Sequence, residues 1–368
     1  MCSISHPAPS GTALADELVE RIFGSVLASF DVFAVSLGDR LGFYRSLGAK
    51  GPHTASQLAE RVGTDLRYTR EWLEQQAVTG ILEVAIDSED PDTRSYRLPE
   101  AYVDVLTNAT SPSAGAPMAR ILTGAVAAFD QVVEAFKTGR GVPYEDYGVD
   151  LVEGQAGMNR PQFEHYLATD WMTQMPDIDE RLRTGRPARI ADIGMGAGWS
   201  SIAFAKAYPN ALVHGFDLDQ ASVELATDNA AAEGVADRVM FQARDAGDAD
   251  LAGQYDLATA FECIHDMWDP VGVLAAMRRL VGPGGTVLVM DERVDEGFSA
   301  PGDDIHRFMY GFSFLHCLPV GRVEQPSAET GTVMRPSTFI GYATAAGFNS
   351  VEVLPIENDF FRFYRCNA

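Results

Sequence analysis

The sequence predicts an α/β protein: a mostly parallel sheet covered by helices on both faces in its C-terminal half, preceded by a smaller, mainly α domain of winged-helix type. Three observations predict it. From residue 188 onward short β-like runs alternate with helical runs, as a parallel sheet with crossover helices requires. The first of those runs ends in a glycine-rich turn at residues 194–198 that opens a helix. Residues 54–98 read as helix, turn, helix and hairpin.

A chain of 368 residues has the length of two domains, and 46% hydrophobic with 22% charged residues is a globular composition. Residues 1–15 are small, polar and proline-containing and read as a flexible tail. Residues 16–110 are expected to form the winged-helix and dimerisation domain, 111–185 a helical connector, and 186–368 the α/β domain.

Within the first domain, apolar residues at helical spacing from Leu18 to Leu41 predict two packed helices, broken near 38–42. Thr54 and Gln57 have capping-box spacing, and Asp65 caps the next helix. The β-like run 81–86, an acidic turn and 95–98 make the hairpin. DNA binding is the first function such a module suggests, but residues 40–110 carry 8 Lys plus Arg against 11 Asp plus Glu. That leaves no basic footprint for phosphates, so dimerisation and covering of an active site are the expected uses.

Helices are predicted over 116–138 and 160–184 around a glycine-rich loop at 139–157. Strands follow near 188–193, 211–217, 238–244, 255–261 and 285–291, with helices over 199–208, 220–233, 270–281 and 337–346. Two last β-like runs, 350–355 and 360–366, should pair antiparallel.

The net charge of −24 disfavours nucleic acid and anionic membrane surfaces as partners. Cys2, Cys263, Cys317 and Cys366 are widely spaced without a CxxC pair, and the N-terminus lacks a basic flank with an apolar core. No stretch is long and apolar enough for a confident membrane span. A cytoplasmic location is expected.

The motif with most chemical content is ADIGMGAG at 191–198. Gly194, Gly196 and Gly198 allow close backbone approach, and the helix start offers free N–H groups. In the dinucleotide fingerprint the third glycine would fall at Trp199, so an oxidoreductase is disfavoured. Asp192 is awkward beside a pyrophosphate and suits a cofactor with a cationic aminoacyl end, such as S-adenosylmethionine. Asp217 ends the next strand at the distance where an acid takes ribose hydroxyls, and Asp219 is read as a helix cap. Asp245 stands where a carboxylate accepts from an adenine amino group.

With these motifs in place, the chain resembles class I S-adenosylmethionine-dependent methyltransferases with an N-terminal winged helix, especially the actinobacterial group. The resemblance rests on ADIGMGAG at 191–198, GFDLD at 215–219, FECIHD at 261–266, LVGPGG at 280–285 and IENDFFRFY at 356–364. It implies a Rossmann-like, seven-stranded methyltransferase domain with an antiparallel last strand. It also implies S-adenosylmethionine as cofactor, held by Asp192, Gly194, Gly196, Gly198, Asp217, Leu218, Asp245, Ala246 and Phe261. The His-Asp segment is similar to that of small-molecule O-methyltransferases, which makes His265 the expected general base. Those enzymes orient the base with carboxylates after the fifth strand, where Asp291 and Glu292 stand, and before the last long helix, where Met334 and Arg335 stand instead. Oxygen is the favoured acceptor atom; carbon and nitrogen remain alternatives.

The aromatic stretch 305–319 is expected to line an apolar acceptor pocket, or else to be a core helix; Asp266, Glu292, Tyr310 and His316 are the candidate lining residues. A metal site from Cys263, His265, His316 and Cys317 would need long-range convergence, and no metal is expected. The overall expectation is methyl transfer to a small, hydrophobic or aromatic molecule by a homodimer. A regulator that senses the cofactor and reads DNA is the alternative of another class.

Overall fold

The computed structural model describes residues 11–184, 186–245 and 255–368. The chain forms two compact units: one reaches to Asn108 and includes Ser113–Arg120, the other combines Ala109–Pro112 with Ile121–Ala368.

The first unit begins with a 31-residue helix, Gly11–Leu41, so helix starts inside the span read as a tail. The expected break over 38–42 occurs only at Gly42, which adopts φ 73° before the helix Phe43–Lys50. Gly38 stays helical because its missing side chain makes room for an indole: a Cβ there would lie 2.4 Å from Cζ2 of Trp72. The winged helix then follows with helices Ala55–Val62 and Leu66–Val78. Its strands are β1 (His53–Thr54), β2 (Glu83–Ile86) and β3 (Ser95–Arg97), in the order β1-β3-β2. The capping box forms as read: Gln57 N donates to Thr54 Oγ1 at 3.3 Å and Thr54 N to Gln57 Oε1 at 2.9 Å. Asp65 Oδ1 accepts from Arg67 N at 2.9 Å and Tyr68 N at 3.1 Å. Phe43, Tyr44, Leu47, Leu58, Trp72, Leu73 and Tyr96 fill the core of this unit.

In the second unit the loop expected at 139–157 turns helical over its second half. After a short turn at Tyr144–Tyr147, the helix Val149–Tyr166 begins, and Gly154 lies within it. That glycine serves close packing, since a Cβ on it would come 2.4 Å from the backbone nitrogen of Ile121.

The sheet of this unit comprises β4 (Ala188–Ile193), β5 (Ala211–Asp217), β6 (Val239–Ala243), β7 (Leu257–Phe261), β8 (Thr286–Glu292), β9 (Ser350–Val353) and β10 (Phe361–Asn367). Their order is β6-β5-β4-β7-β8-β10-β9, and β10 runs antiparallel to both of its neighbours. The central parallel strands β4, β7 and β8 are buried on both faces, whereas β6 at the edge is largely exposed, and successive side chains of the central strands alternate between two cores. Ile190, Val213, Leu257, Leu288 and Met290 join Trp171 and Phe204 on one side. Ala191, Ile193, Ala258, Val287 and Val289 join Leu274, Met277 and Phe339 on the other. This directs the carboxyl ends of β4, β5, β6, β7 and β8 to one edge, where the conserved geometry of open α/β sheets places ligands.

Candidate active site

A cavity of about 390 Å³ opens at that edge, a size suited to a small-molecule ligand. Its floor is the turn after β4, including Gly194, Met195, Gly196 and Ala197. Gly194, Gly196 and Gly198 all have positive φ, at 65°, 52° and 80°. Gly194 needs that freedom doubly, because a Cβ would lie 2.8 Å from Cys263 Sγ. Gly198 is not part of the wall; it lets the turn pack on Ala226 and Phe241, each 2.8 Å from a notional Cβ.

Asp192 sits beneath the turn and outside the wall. Its fully buried carboxylate accepts from Ser200 Oγ at 2.6 Å, Ser201 Oγ at 2.7 Å and Thr259 Oγ1 at 2.8 Å. Burial pushes its pKa above the usual range, against the pull of the three hydroxyls. The acid read as facing a cationic cofactor therefore ties β4, β7 and the following helix together below the ligand space.

Asp217 is in the wall, as expected. Its Oδ2 accepts from Gly196 N at 2.9 Å and its Oδ1 from Asp219 N at 3.0 Å, so the carboxylate and the glycine turn fix one another. Burial raises its pKa, and those N–H donors hold it back. Asp219 caps the helix Gln220–Ala232 through Ser222 N at 2.8 Å. Leu218, Asp245 and Phe261 also line the cavity, while Ala246 lies outside the described residues. A half-buried carboxylate at a strand end and a glycine turn open to a cavity of this size fit an adenosyl cofactor: Asp217 would take the ribose hydroxyls, and the turn its neighbouring atoms.

His265 is buried on a short turn after β7 and is not part of the cavity wall. Its Nδ1 lies 2.8 Å from Asp291 Oδ1 and 2.7 Å from Glu292 Oε2. One N–H aligns with one oxygen, and the directed bond goes to Asp291. Burial pulls the imidazole pKa down, but the two carboxyl groups outweigh it and the pKa ends well above the usual value. Burial drives Glu292 well above the carboxylate range, whereas Asp291, despite burial, is held below it by His265. Two adjacent buried carboxyls do not both ionise readily, so His265 and Asp291 favour their charged forms while Glu292 is driven toward its neutral one. Both candidate carboxyls thus come from the end of β8. Met334 is buried in the core, and Arg335 donates to Glu296 O.

Asp266, the next residue, does line the cavity, and burial lifts it to about 7. His316 packs edge-on against Tyr147, with centroids 4.6 Å apart, and burial drops its pKa to about 3. Its Nδ1 lies 3.5 Å from Cys317 Sγ. Tyr310 is 40% exposed, and neither it, Glu292 nor His316 reaches the wall. The aromatic stretch around them forms a helix, Asp304–Phe312, continued by a wider turn at Ser313–Cys317.

Several wall residues escaped the sequence reading. Val152, Gln155 and Ala156 come from the part of the helix Val149–Tyr166 expected to be loop, and Asn159 and Phe163 continue the same face into its later turns. Their spacing of three and four is that of one helical face, the signal that could have revealed them. Glu262, directly after β7, is another.

Residues 190–285 match the family described as Methyltransferase domain, and residues 29–108 match the Rv2258c-like winged HTH domain. The chain is 29% identical over 177 residues to a ubiquinone biosynthesis O-methyltransferase of Ralstonia nicotianae, covering 46% of this chain and 66% of that protein. It is 28% identical over 118 residues to ajmaline N-methyltransferase of Rauvolfia serpentina, covering 32% and 39%. The chain thus spans less than two thirds of either relative's length. Human N-acetylserotonin methyltransferase, solved in complex with SAM, has the same fold at 19% identity and a TM-score of 0.65, covering 100% of this chain and 99% of that one. Among the described residues no helix is long and apolar enough to cross a membrane. Fold, site edge and both domain matches agree: the chain carries a methyltransferase domain, preceded in the sequence by an Rv2258c-like winged helix-turn-helix domain, and has the fold of a solved methyltransferase.

Proposed function

We propose that this protein transfers the methyl group of S-adenosylmethionine to a hydroxyl oxygen of a small, hydrophobic or aromatic molecule. The observation that carries this reading is the cavity over the glycine turn, with the half-buried Asp217 carboxylate bonded to that turn at 2.9 Å. When bound, the cofactor supplies an electrophilic methyl on a cationic sulfur. Asp217 holds the ribose side, with Leu218, Asp245 and Phe261 around the adenosyl group; the apolar side chains of Phe163, Val152 and Val320 exclude water from the acceptor. The transfer then depends on alignment of acceptor oxygen, methyl and sulfur. His265 is the proposed general base, fixed by Asp291 and Glu292; because it stands behind the cavity wall, the role requires an acceptor or a water to reach past that wall, and it begins once the raised pKa is passed.

Nitrogen is the second acceptor reading, favoured by the absence of an acid at Met334 and Arg335 and by the N-methyltransferase among the relatives. The protein is further proposed to work as a cytoplasmic homodimer that binds no nucleic acid. Titration with S-adenosylmethionine, NAD and NADP tests the cofactor, with binding of the first alone expected. Incubation with methyl-labelled cofactor and a panel of phenols and amines tests the acceptor. Label recovered only on nitrogen would overturn oxygen as acceptor, and no binding of S-adenosylmethionine would overturn the function.

A further inference from the structure

We propose that Glu262, flanked by the side-chain amides of Gln155 and Asn159, is the subsite for the cofactor's ammonium group, and that it gives up a proton when that group binds. This rests on the cofactor reading above and goes beyond it by naming an ionisable partner.

The sheet order supplies the geometry. β4 lies between β5 and β7, so a ligand over the glycine turn has Asp217 of β5 on one flank and the residue after β7 on the other. Asp245, past β6, lies further out on the Asp217 side. An adenosyl group laid on Asp245 and Asp217 therefore directs its remaining arm, the aminoacyl end, toward β7. Ile193 pairs with Ala260 in register, which brings Glu262 abreast of the start of the turn.

Glu262 is itself unusual. It holds φ 55°, a left-handed conformation uncommon outside glycine, and its N–H is tied to Met290 O at 2.8 Å. The side chain lines the cavity, and its buried Oε1 has no hydrogen-bond partner. A strained backbone that leaves a carboxyl oxygen of a cavity-lining residue buried and unpartnered is costly unless a donor arrives there. Gln155 and Asn159 approach the same carboxyl from the helix Val149–Tyr166, and both line the cavity.

The charged groups that face Glu262 are His265 on its own turn and Asp291 on β8; the helix opposite contributes the two uncharged amides. Burial, aided by Asp291, lifts the carboxyl to about 8, against the opposing pull of His265 and the amides. It is therefore mostly protonated at pH 7, and an ammonium partner favours its ionised form. Binding then releases close to one proton, roughly 0.9 for a group with a pKa near 8 at pH 7. Affinity for a ligand with the aminoacyl end consequently rises with pH until about 8 and then levels off. Asp266 faces the same cavity and is also near neutrality, so the test must separate the two.

The experiment is calorimetric titration of the full chain at pH 7 in two buffers of different ionisation enthalpy, with two ligands. S-adenosylhomocysteine keeps the ammonium and lacks the sulfonium charge; 5′-methylthioadenosine lacks the aminoacyl end altogether. The wild type should release close to one more proton with the first ligand than with the second. E262Q should abolish that difference and weaken S-adenosylhomocysteine about tenfold or more, the order expected for a charge-assisted hydrogen bond. It should hold 5′-methylthioadenosine within about twofold, which also shows that the variant is folded. Equal proton release from both ligands in the wild type, or an E262Q effect that is the same on both ligands, would overturn the role of Glu262 while leaving the cofactor reading intact. Failure of the wild type to bind either ligand would overturn both.

Discussion

Nδ1 of His265 lies 2.8 Å from Oδ1 of Asp291, and the two side chains are only 2% and 1% exposed. A buried imidazole this close to a carboxylate keeps its proton above the ordinary histidine range. Methylation of an unionised hydroxyl should therefore rise with pH above that range, because only the neutral ring can accept a proton. D291N removes the attraction and should move the midpoint to lower pH; single-turnover rates at saturating cofactor across pH 5–9 check the direction.

On the same acceptor, H265N should lower the rate by about 10²–10⁴ with cofactor affinity unchanged. Asp266 lines the cavity and titrates near 7, so D266N is the necessary companion. A rate loss confined to D266N, with a wild-type profile rising through about 7, would transfer the base role to Asp266.

For Asp217, the alanine variant should lose about 1.5–3 kcal/mol of S-adenosylhomocysteine binding, roughly 10- to 100-fold. Part of that reflects the turn, since Gly196 N donates to Asp217 Oδ2 at 2.9 Å. D217N retains an oxygen for that N–H and should bind better than D217A. Calorimetry on the folded variants gives the comparison, and unchanged affinity in both would exclude Asp217 from the ribose site.

Asp192 should govern stability more than binding. D192A strands the hydroxyls of Ser200, Ser201 and Thr259 and should cost about 1–3 kcal/mol in denaturant unfolding. D192N keeps an acceptor in place and should lose less. A stable D192A with lost cofactor affinity would contradict the structural placement.

The helix Gly11–Leu41 presents Leu18, Ile22, Phe23, Val26, Phe30 and Phe33, each at least 42% exposed. An apolar stripe of this length is expected to be covered by a second copy. Light scattering at micromolar concentration should give the mass of two chains, and F23E with F30E should give one.

The sequence by itself determined the alternation of strands and helices from residue 188 to 291, the caps at Thr54 and Asp65, the glycine turn and the position of Asp217 beside it. These depend on local chemistry: side-chain periodicity, short-range hydrogen bonds and the dihedral freedom of glycine. Tertiary structure alone decided where the polar groups point. Asp192 looked like a ligand contact, but three hydroxyls from other elements capture it beneath the turn. Gly154 looked like a loop residue because glycine disfavours helix, yet close approach to Ile121 keeps it helical and brings Gln155 and Asn159 to the cavity. Asp291 and Glu292 were alternatives in the sequence, and both reach His265 only because β7 and β8 end side by side. Such placements depend on contacts between residues far apart in the chain, which no local spacing encodes.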